Sequence, residues 1–259
     1  MSVYTTVAVT GASAGFGYEI CKVLAANNFQ VIAIARREQK LQELAKLYPN
    51  NIYPLPLDVT DKAQVDSFKD KLPEHLKKID VLVNNAGLAL GVDRAQNCSL
   101  EEWNTMIDTN VKGLVAMTHA LLPAMIERNC GYIINLGSTA GSWPYVGGNV
   151  YGATKAFVEQ FSRNLRCDTQ GSALKVTVIK PGLCSDTEFS YVRLHQDEQK
   201  VKAIYENTQS ILPSDIANTV LYLVNMPAHV NVNEIEMMPV CQTYGGLSVT
   251  KNLKLDKNN

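Results

Sequence analysis

The sequence has few of the features that mark disulfide-rich or metal-binding proteins. Its four histidines show no ligand spacing, and none of its six cysteines belongs to a Cys-x-x-Cys pair. Thiols used in this way are typical of a reducing compartment, where most serve as small buried hydrophobes. We therefore expect no metal site, and the scattered cysteines are Cys21, Cys98, Cys130, Cys167, Cys184 and Cys241.

Long apolar runs and excess charge are also missing. The chain has no stretch of eighteen apolar residues, so no membrane span is expected. It starts without a basic segment and cleavage site, which argues against secretion and favours the cytoplasm. The net charge of −1 lacks the basic excess that suits a phosphate backbone, so no nucleic-acid partner is expected.

Length and patterning predict an α/β protein. At 259 residues, with 46% apolar and 19% charged residues, the chain can form one large domain or two small ones. No linker or shift in composition divides it, which favours a single domain over residues 1–259. Short β-branched runs alternate with helix-length stretches, the pattern of βαβ units in a doubly wound parallel sheet with helices on both faces.

Seven strands and six helices follow from this alternation. The predicted strands are Thr6–Thr10, Val31–Ala35, Ile52–Leu57, Val81–Asn84, Tyr132–Leu136, Val176–Ile179 and, more weakly, Glu234–Met238. The predicted helices are Gly15–Asn27, Gln39–Tyr48, Lys62–Leu72, Leu100–Glu127, Tyr151–Asp168 and Pro213–Val224. Residues 183–210 are polar and delay the next helix, as ligand-facing insertions do. Residues 239–259 form a polar, aperiodic tail.

A glycine-rich turn follows the first predicted strand. Residues 10–17 read T-G-A-S-A-G-F-G and lead directly into a helix, and their glycines permit close approach of a ligand to the backbone. The helix then presents free N–H groups and a positive dipole end to a pyrophosphate. The spacing differs from G-x-G-x-x-G, and a strand-to-helix turn without a ligand is the alternative.

Residues at the ends of the next predicted strands indicate which dinucleotide the chain would bind. Arg36-Arg37 occupies the place of an NAD-type acidic residue, and paired guanidinium groups suit the 2′-phosphate of NADP. The alternative is a solvated arginine pair with Glu38 as the acidic residue. Asp58 is placed to accept from an adenine amino group, and the small residues of 84–87 leave room for a nicotinamide ribose.

Two tyrosine–lysine pairs share the i, i+4 spacing that places both side chains on one helical face. Tyr18 and Lys22 lie inside the first helix and are interpreted as a surface pair. Tyr151 and Lys155 follow a strand by a loop that contains Ser138. An ammonium about 4–5 Å from a phenol is expected to lower the phenol pKa from about 10 by roughly 2–3 units, towards the range of acid–base catalysis.

Ser138 and Asn110 complete this candidate catalytic group. The Ser138 hydroxyl can hold a substrate oxygen, and Lys155 can also reach ribose hydroxyls. Asn110 lies in the middle of the long predicted helix, where it can kink the helix and hold a relay water. The alternative for Asn110 is a side chain that faces solvent.

Together these motifs resemble the short-chain dehydrogenase/reductase family over essentially the whole chain. They are T-G-A-S-A-G-F-G, Asp58, N-N-A-G, Asn110, Ser138, Tyr151-x-x-x-Lys155 and Pro181-Gly182. The resemblance implies a single Rossmann domain with a seven-stranded sheet and a Ser-Tyr-Lys triad with Asn110 as fourth member. It also implies hydride transfer between a nicotinamide and a carbonyl or alcohol carbon, and a homotetramer.

A narrower resemblance is to the bacterial NADP-dependent 3-hydroxy acid dehydrogenases, also described as L-allo-threonine, serine or malonic semialdehyde enzymes. It is carried by runs such as M-I-D-T-N, G-S-T-A-G-S-W-P-Y and T-E-F-S-x-V-R. It implies that Ser138 contacts substrate. The cofactor contacts that it implies are Gly11, Ala12, Ser13, Ala14, Gly15, Phe16, Arg36, Arg37, Asp58, Val59, Asn85, Tyr151, Lys155, Pro181, Gly182, Leu183, Cys184, Ser185, Asp186, Thr187, Glu188 and Phe189.

A 3-hydroxy acid carries a carboxylate, so its pocket is expected to hold a cation. Arg193, within residues 183–210, is the candidate by bidentate pairing, and a solvated surface arginine is the alternative. Trp143, Tyr145 and Phe189 are predicted to form apolar walls, although Trp143 in a Gly-rich loop is equally suited to a subunit contact.

The predicted function is the NADP-dependent oxidation of small 3-hydroxy acids and 3-hydroxy amino acids, with reduction of short semialdehydes in reverse. A same-fold alternative is a reductase of 3-oxoacyl thioesters or other carbonyls. A basic carrier-docking patch would favour that alternative, and the sequence shows none. A non-catalytic NADP-binding regulator is the other alternative, which predicts loss of the Tyr, Lys or Ser.

Overall fold

Seven parallel strands form one sheet in the computed structural model, which describes residues 3–244. The strand order is β3-β2-β1-β4-β5-β6-β7. The strands are β1 (Thr6–Thr10), β2 (Gln30–Ala35), β3 (Ile52–Pro56), β4 (Val81–Asn84), β5 (Gly131–Leu136), β6 (Leu174–Pro181) and β7 (Glu234–Met237). The predicted doubly wound, Rossmann-type α/β fold is confirmed.

Ten α-helices connect or cover these strands within the described residues. They are α1 (Gly15–Ala26), α2 (Glu38–Leu47), α3 (Lys62–Ser67), α4 (Leu100–Ile107), α5 (Leu114–Glu127), α6 (Thr139–Ser142), α7 (Asn149–Asp168), α8 (Phe189–Arg193), α9 (Glu198–Tyr205) and α10 (Pro213–Val224). None of the helices within residues 3–244 has the length and apolar character needed to cross a membrane.

Alternating strand residues build a separate core on each face of the sheet. In β1, Val7 and Val9 pack into one cluster with residues of α1 and α10, whereas Ala8 packs into the other with residues of α3 and α5. All five residues of β1 are buried. A strand buried on both faces must be apolar throughout, which is why these runs are continuous rather than alternating in sequence.

The predicted long helix at residues 100–127 is interrupted in its middle. One turn of π-helix, Asp108–Gly113, joins α4 to α5 and contains Asn110. A π-helical turn widens the backbone locally and can turn a side chain inward. The expected interruption at Asn110 is therefore present.

Two stretches differ most from the sequence prediction. Residues 183–210 were expected to delay the next helix, but they contain α8 and α9, and Asp197 caps α9 by accepting from the Lys200 N–H at 3.1 Å. The third helix ends as an α-helix at Ser67 and continues as a short 3₁₀ segment to Lys71, two residues before Pro73. Of the predicted tail, residues 245–259 lie outside the described part of the chain.

Candidate active site

A cavity of about 730 Å³ lies at the carboxyl ends of the strands. The turn after β1 lines one end of it, and Ser138 and Tyr151 line the other. The strand order runs outward in opposite directions from the neighbouring strands β1 and β4, and open α/β sheets bind ligands at such switch points. The predicted glycine turn and the predicted catalytic residues therefore share one cavity.

The turn after β1 is shaped by glycines at positions that exclude other residues. Gly11 has a φ of +69°, and a Cβ there would lie 2.7 Å from Asn85 Nδ2. A Cβ on Gly17 would collide with the Gly11 carbonyl oxygen. Asn85 supports the turn from behind, because its Nδ2 donates to the Thr10 carbonyl at 2.8 Å and its N–H to Thr10 Oγ1 at 3.0 Å. The backbone at this end of the cavity is therefore held open for a ligand.

Helix α1 starts at this turn without a side-chain cap. Its N-cap residue, Ala14, has no side-chain hydrogen bond, and its first turn contains no acidic residue. The first N–H groups of α1 and the positive end of its dipole therefore face the cavity, which Ala14, Gly15 and Phe16 line. This arrangement fits a pyrophosphate, which binds well at uncapped helix N-termini.

The two arginines after β2 occupy different environments. Arg37 donates from Nε and Nη2 to Ser13 Oγ at 3.1 and 2.9 Å, and its Nη1 lies 2.8 Å from a carboxylate oxygen of Glu188. Arg36 lines the same cavity and is exposed. A guanidinium beside a serine hydroxyl suits a phosphate group, so the residues present fit the 2′-phosphate of NADP.

Most of the cofactor contacts that the sequence implies line the cavity, but three residues do not. Ala12 is fully buried and its N–H donates to Ile34. Ser185 and Asp186 are not among the residues that line the cavity; the Ser185 N–H donates to the Ile211 carbonyl at 3.0 Å, and Asp186 has a φ of +55°. Whole motifs were carried over from a family resemblance, whereas a turn presents only some of its residues to a ligand.

Tyr151, Ser138 and Lys155 meet at the other end of the cavity. Ser138 follows β5, and its hydroxyl shares a hydrogen bond with Tyr151 on α7. Lys155, one helical turn later, donates from Nζ to the Leu136 carbonyl at 2.8 Å. Its Nζ lies 6.0 Å from the centre of the Tyr151 ring. The sequence prediction that these three side chains converge agrees with this geometry.

The prediction that the pKa of Tyr151 is lowered is wrong when only the side chains of the protein are considered. Burial raises the pKa of Tyr151 to about 12, and the hydrogen bond from Ser138 and the charge of Arg193 oppose that rise only in part. Burial also lowers the pKa of Lys155 to about 8. The sequence argument counted the ammonium charge and omitted desolvation, which is the larger effect here.

Asn110 is buried and faces the protein interior, so the solvent-facing alternative is excluded. Its Nδ2 donates to the Leu88 carbonyl at 2.8 Å and to Thr154 Oγ1 at 3.0 Å, and its Oδ1 accepts from the Leu88 N–H at 2.9 Å. A Cβ on Gly87 would lie 3.2 Å from Asn110 Oδ1 and 3.5 Å from Lys155 Nζ. Asn110 therefore ties the loop after β4 to the residue preceding Lys155.

Arg193 contacts residues of the candidate site and is not only a solvated surface arginine. Its Nη2 donates to the Tyr145 hydroxyl at 2.8 Å, and its Nε donates to the Gly91 carbonyl at 3.3 Å. The guanidinium carbon lies 5.7 Å from the centre of the Tyr151 ring. Phe189 packs against the same ring at 5.6 Å, so an aromatic wall and a cation flank the phenol.

Comparison with known proteins identifies the family. Residues 5–198 match the short chain dehydrogenase family. The chain belongs to the short-chain dehydrogenases. It is 54% identical over 246 residues to the NADP-dependent 3-hydroxy acid dehydrogenase YdfG of Salmonella typhi, covering 95% of this chain and 99% of that protein. It is 45% identical over 249 residues to sulfoacetaldehyde reductase 2 of Chromohalobacter salexigens, with coverage of 95% and 98%.

A solved structure gives the same assignment. The closed form of a serine dehydrogenase complexed with NADP+ superposes with a TM-score of 0.94 at 53% identity, covering 95% of this chain and all of that one. The resemblance to the short-chain dehydrogenases that the motifs indicate is therefore confirmed over nearly the whole chain.

This short-chain dehydrogenase also lines its cavity with residues that the sequence reasoning missed. Gln242 and Tyr244, which follow β7, are among them, and Gln242 Oε1 accepts from the Leu183 N–H at 2.7 Å. The charged run of β7 is a signal that could have directed attention there. Glu234 and Glu236 lie on one face of β7, which is an edge strand of the sheet, and both contact the buried Lys180 of β6.

Proposed function

We propose that this chain is an NADP-dependent dehydrogenase of small 3-hydroxy acids and 3-hydroxy amino acids of the L-allo-threonine and serine type. In reverse it would reduce short semialdehydes. The observation that carries the proposal is the Arg193 guanidinium beside the buried Tyr151 ring, because it pairs an anion-binding group with a proton-transfer group. Relatives of 53–54% identity named for 3-hydroxy acids and serine support the same substrate class.

The glycine-turn end of the cavity would hold the cofactor. Gly11, residues 13–16 and the N-terminus of α1 would bind the pyrophosphate, and Ser13 with Arg36 and Arg37 would bind the 2′-phosphate. Asp58 and Val59 would contact the adenine side, while Asn85, residues 181–184 and residues 187–189 would line the nicotinamide side. NADP, when bound, supplies the acceptor for the hydride that leaves the alcohol carbon.

At the other end, Tyr151 would take the proton of the substrate hydroxyl while Ser138 holds its oxygen. The shared hydrogen bond between the two side chains supports this division of roles. Lys155 would keep a positive charge near the phenol and bind ribose hydroxyls. Asn110 would orient the loop after β4 next to Lys155, because its carboxamide already bonds to Leu88 and Thr154.

Arg193 would bind the carboxylate of the substrate. A guanidinium has five N–H donors, and the contacts to Tyr145 and Gly91 use two of them. The remaining donors can form the fork that a carboxylate prefers. A sulfonate has the same charge and a similar reach, so an enzyme built in this way is also expected to accept a short sulfonated aldehyde. Trp143, Tyr145 and Phe189 would form the walls around the carbon chain.

A substrate panel tests this function with NADP as cofactor. We expect turnover of serine, allo-threonine and 3-hydroxypropionate, and a lower kcat/KM for uncharged alcohols of the same length. Arg193→Met is expected to remove most of that preference, roughly a 10- to 100-fold change in the ratio, because a charged hydrogen bond contributes about 1.5–3 kcal/mol. An unchanged ratio would mean that another group binds the carboxylate.

The same panel separates the rival functions. Turnover confined to 3-oxoacyl thioesters or uncharged carbonyls would support the general reductase. NADPH binding without turnover of any carbonyl would support the non-catalytic regulator.

We also propose that the chain works as a single-domain subunit of a cytoplasmic homotetramer. The helices between residues 100 and 127 and α7 would form the shared faces, and the exposed Phe157, stacked on Phe161 at 5.7 Å, supplies part of the apolar surface on α7. Sedimentation equilibrium measures the subunit number, and a monomer at micromolar concentration would contradict the tetramer.

A further inference from the structure

Trp143 is the largest side chain at the substrate end of the cavity, and the residues of its own loop do not fix its position. It comes directly after α6, in the Gly/Pro-rich segment before α7, and it is 41% exposed. An indole in such a loop has no packed core to fix its rotamer. Contacts from elsewhere in the chain must therefore hold it in place.

Glu236 on β7 supplies one of these contacts. The Trp143 indole N–H donates to both carboxylate oxygens of Glu236, at 3.2 Å each, across 93 positions of sequence. Tyr244 supplies the other, because its ring lies 4.4 Å from the Trp143 ring between centroids, inclined at 49°. The indole is thus bonded at its polar edge and packed against a second aromatic ring.

Glu236 is itself held firmly by the sheet. It pairs in register with Lys180 of β6, and Lys180 Nζ lies 3.3 Å from its carboxylate. Lys180 is 7% exposed and also contacts Glu234 and Ser142 Oγ, each at 3.2 Å. Ser142, the residue before Trp143, additionally donates to Glu159. Ser142 at the end of α6 and Trp143 directly after it are therefore both attached to the ion cluster around the buried Lys180.

We propose that Glu236 is a positioning residue for substrate specificity, which fixes Trp143 as the wall that limits substrate length. Glu236 does not line the cavity, whereas Trp143 does, so it acts through the indole. Tyr244 closes the other side of the same wall. With the wall fixed, the space in front of Arg193 and Tyr151 admits a short carbon chain and excludes a longer one. This proposal rests on the proposed 3-hydroxy acid dehydrogenase function.

The chain offers a matched set of variants to test it. Glu236→Ala removes the acceptor, whereas Glu236→Gln keeps an oxygen for the indole N–H. Glu234→Ala is the control, because Glu234 pairs with the same Lys180 two residues earlier in β7 and makes no bond to Trp143. Each variant is assayed for kcat/KM with 3-hydroxy acids of three and six carbons and for KM with NADP.

We expect Glu236→Ala to reduce the preference for the three-carbon acid by about tenfold, the range that a small change in an apolar pocket produces. The KM for NADP should stay within about twofold, and Glu236→Gln and Glu234→Ala should retain the preference. An unchanged preference in Glu236→Ala would overturn the proposal, as would an equal loss in Glu234→Ala, because the effect would then belong to the ion cluster.

Fluorescence gives a reading that is independent of activity. The chain has two tryptophans, Trp103 and Trp143, and the difference from a Trp143→Phe variant isolates the emission of the latter. Glu236→Ala should raise the collisional quenching of Trp143 by neutral acrylamide, and Glu236→Gln should restore it. If no 3-hydroxy acid is turned over but quenching rises, the positioning holds and the proposed function fails. If quenching is unchanged, Glu236 does not hold the indole.

Discussion

Helices α1 and α7 carry the same tyrosine–lysine spacing and nearly the same local geometry. Lys22 Nζ lies 5.6 Å from the centre of the Tyr18 ring, and Lys155 Nζ lies 6.0 Å from that of Tyr151. A pattern search cannot separate the two pairs, and a distance measured within the helix separates them little better. The difference between them arises outside the helices.

The two lysines have opposite environments. Lys22 lies 2.8 Å from Glu19, and this hydrogen bond raises its pKa. Lys155 is buried with a backbone carbonyl as its hydrogen-bond acceptor, and burial lowers its pKa to about 8. Tyr151 lines the cavity and hydrogen-bonds to Ser138, whereas Tyr18 is partly buried against the hydrophobic core on the α1 side of the sheet. Proton-transfer chemistry needs the buried environment of Tyr151 and Lys155, because a partly desolvated group responds strongly to a nearby charge.

The sharpest way to test this contrast is to remove each phenol hydroxyl. Tyr151→Phe is expected to lower kcat by two to four orders of magnitude, the usual contribution of a positioned acid or base, with NADPH affinity within a few-fold of the wild type. Tyr18→Phe, the matched change in α1, should leave kcat unchanged. Steady-state kinetics and fluorescence titration with NADPH measure the two quantities.

Comparable rates for the two variants would show that the α7 pair has no catalytic role. A loss of NADPH binding in Tyr151→Phe would instead indicate a structural role for the phenol.

Lys155 gives the second largest expected effect, which is on the free energy of unfolding. The pKa of Lys155 is about 8 in the folded state and 10.5 in the unfolded state. Between these two pH values the lysine is charged mainly in the unfolded state. The unfolded state then binds more protons, so the free energy of unfolding rises with pH across this window. Relative to Lys155→Met, the wild type should gain about 3 kcal/mol between pH 8 and 10.5. Urea unfolding at stepped pH measures this difference.

Lys22→Met is the control and should show no such gain. The pKa of Lys22 is raised, so its contribution to stability is complete below 10.5 and declines only at higher pH. Parallel curves for wild type and Lys155→Met would show that the ammonium is not desolvated in the folded protein.

The same contrast explains which features could be predicted from sequence. The strands could be predicted because each is buried on both faces and therefore continuously apolar, and the glycine turn because its positive φ angles exclude other residues. The convergence of Ser138, Tyr151 and Lys155 follows from a motif that needs few long-range contacts. The direction of the Tyr151 pKa shift could not be predicted, because desolvation depends on packing from Phe189 and other distant elements.

Contacts between distant residues were the hardest features to predict. The Trp143–Glu236 bond joins residues 93 positions apart. Helices α8 and α9 form within a polar segment through the Asp197 cap of α9 and through tertiary contacts such as the Ser190–Tyr205 bond. For the same reason, the sequence does not reveal that Ser185 and Asp186 stay outside the lining of the cavity.

The arginines after β2 extend the comparison to neighbours of one residue type, with the smallest expected effect. Arg37 is oriented by Ser13 and Glu188, whereas Arg36 has no side-chain hydrogen bond or ion pair among the described contacts. An oriented guanidinium loses less entropy on binding a phosphate. Arg37→Met should therefore weaken NADPH binding by about tenfold and Arg36→Met by less, because exposed charged contacts contribute about 1 kcal/mol.

NADH, which lacks the 2′-phosphate, separates this effect from damage to the turn. Its affinity should change little in either variant, so the NADPH to NADH ratio falls in Arg37→Met and falls less in Arg36→Met. The ratio should also depend on ionic strength, since added salt screens exposed charges. Equal affinities for NADPH and NADH in the wild type would refute the assignment of these arginines to the 2′-phosphate. A larger loss in Arg36→Met would show that orientation by Ser13 and Glu188 does not decide which arginine binds it.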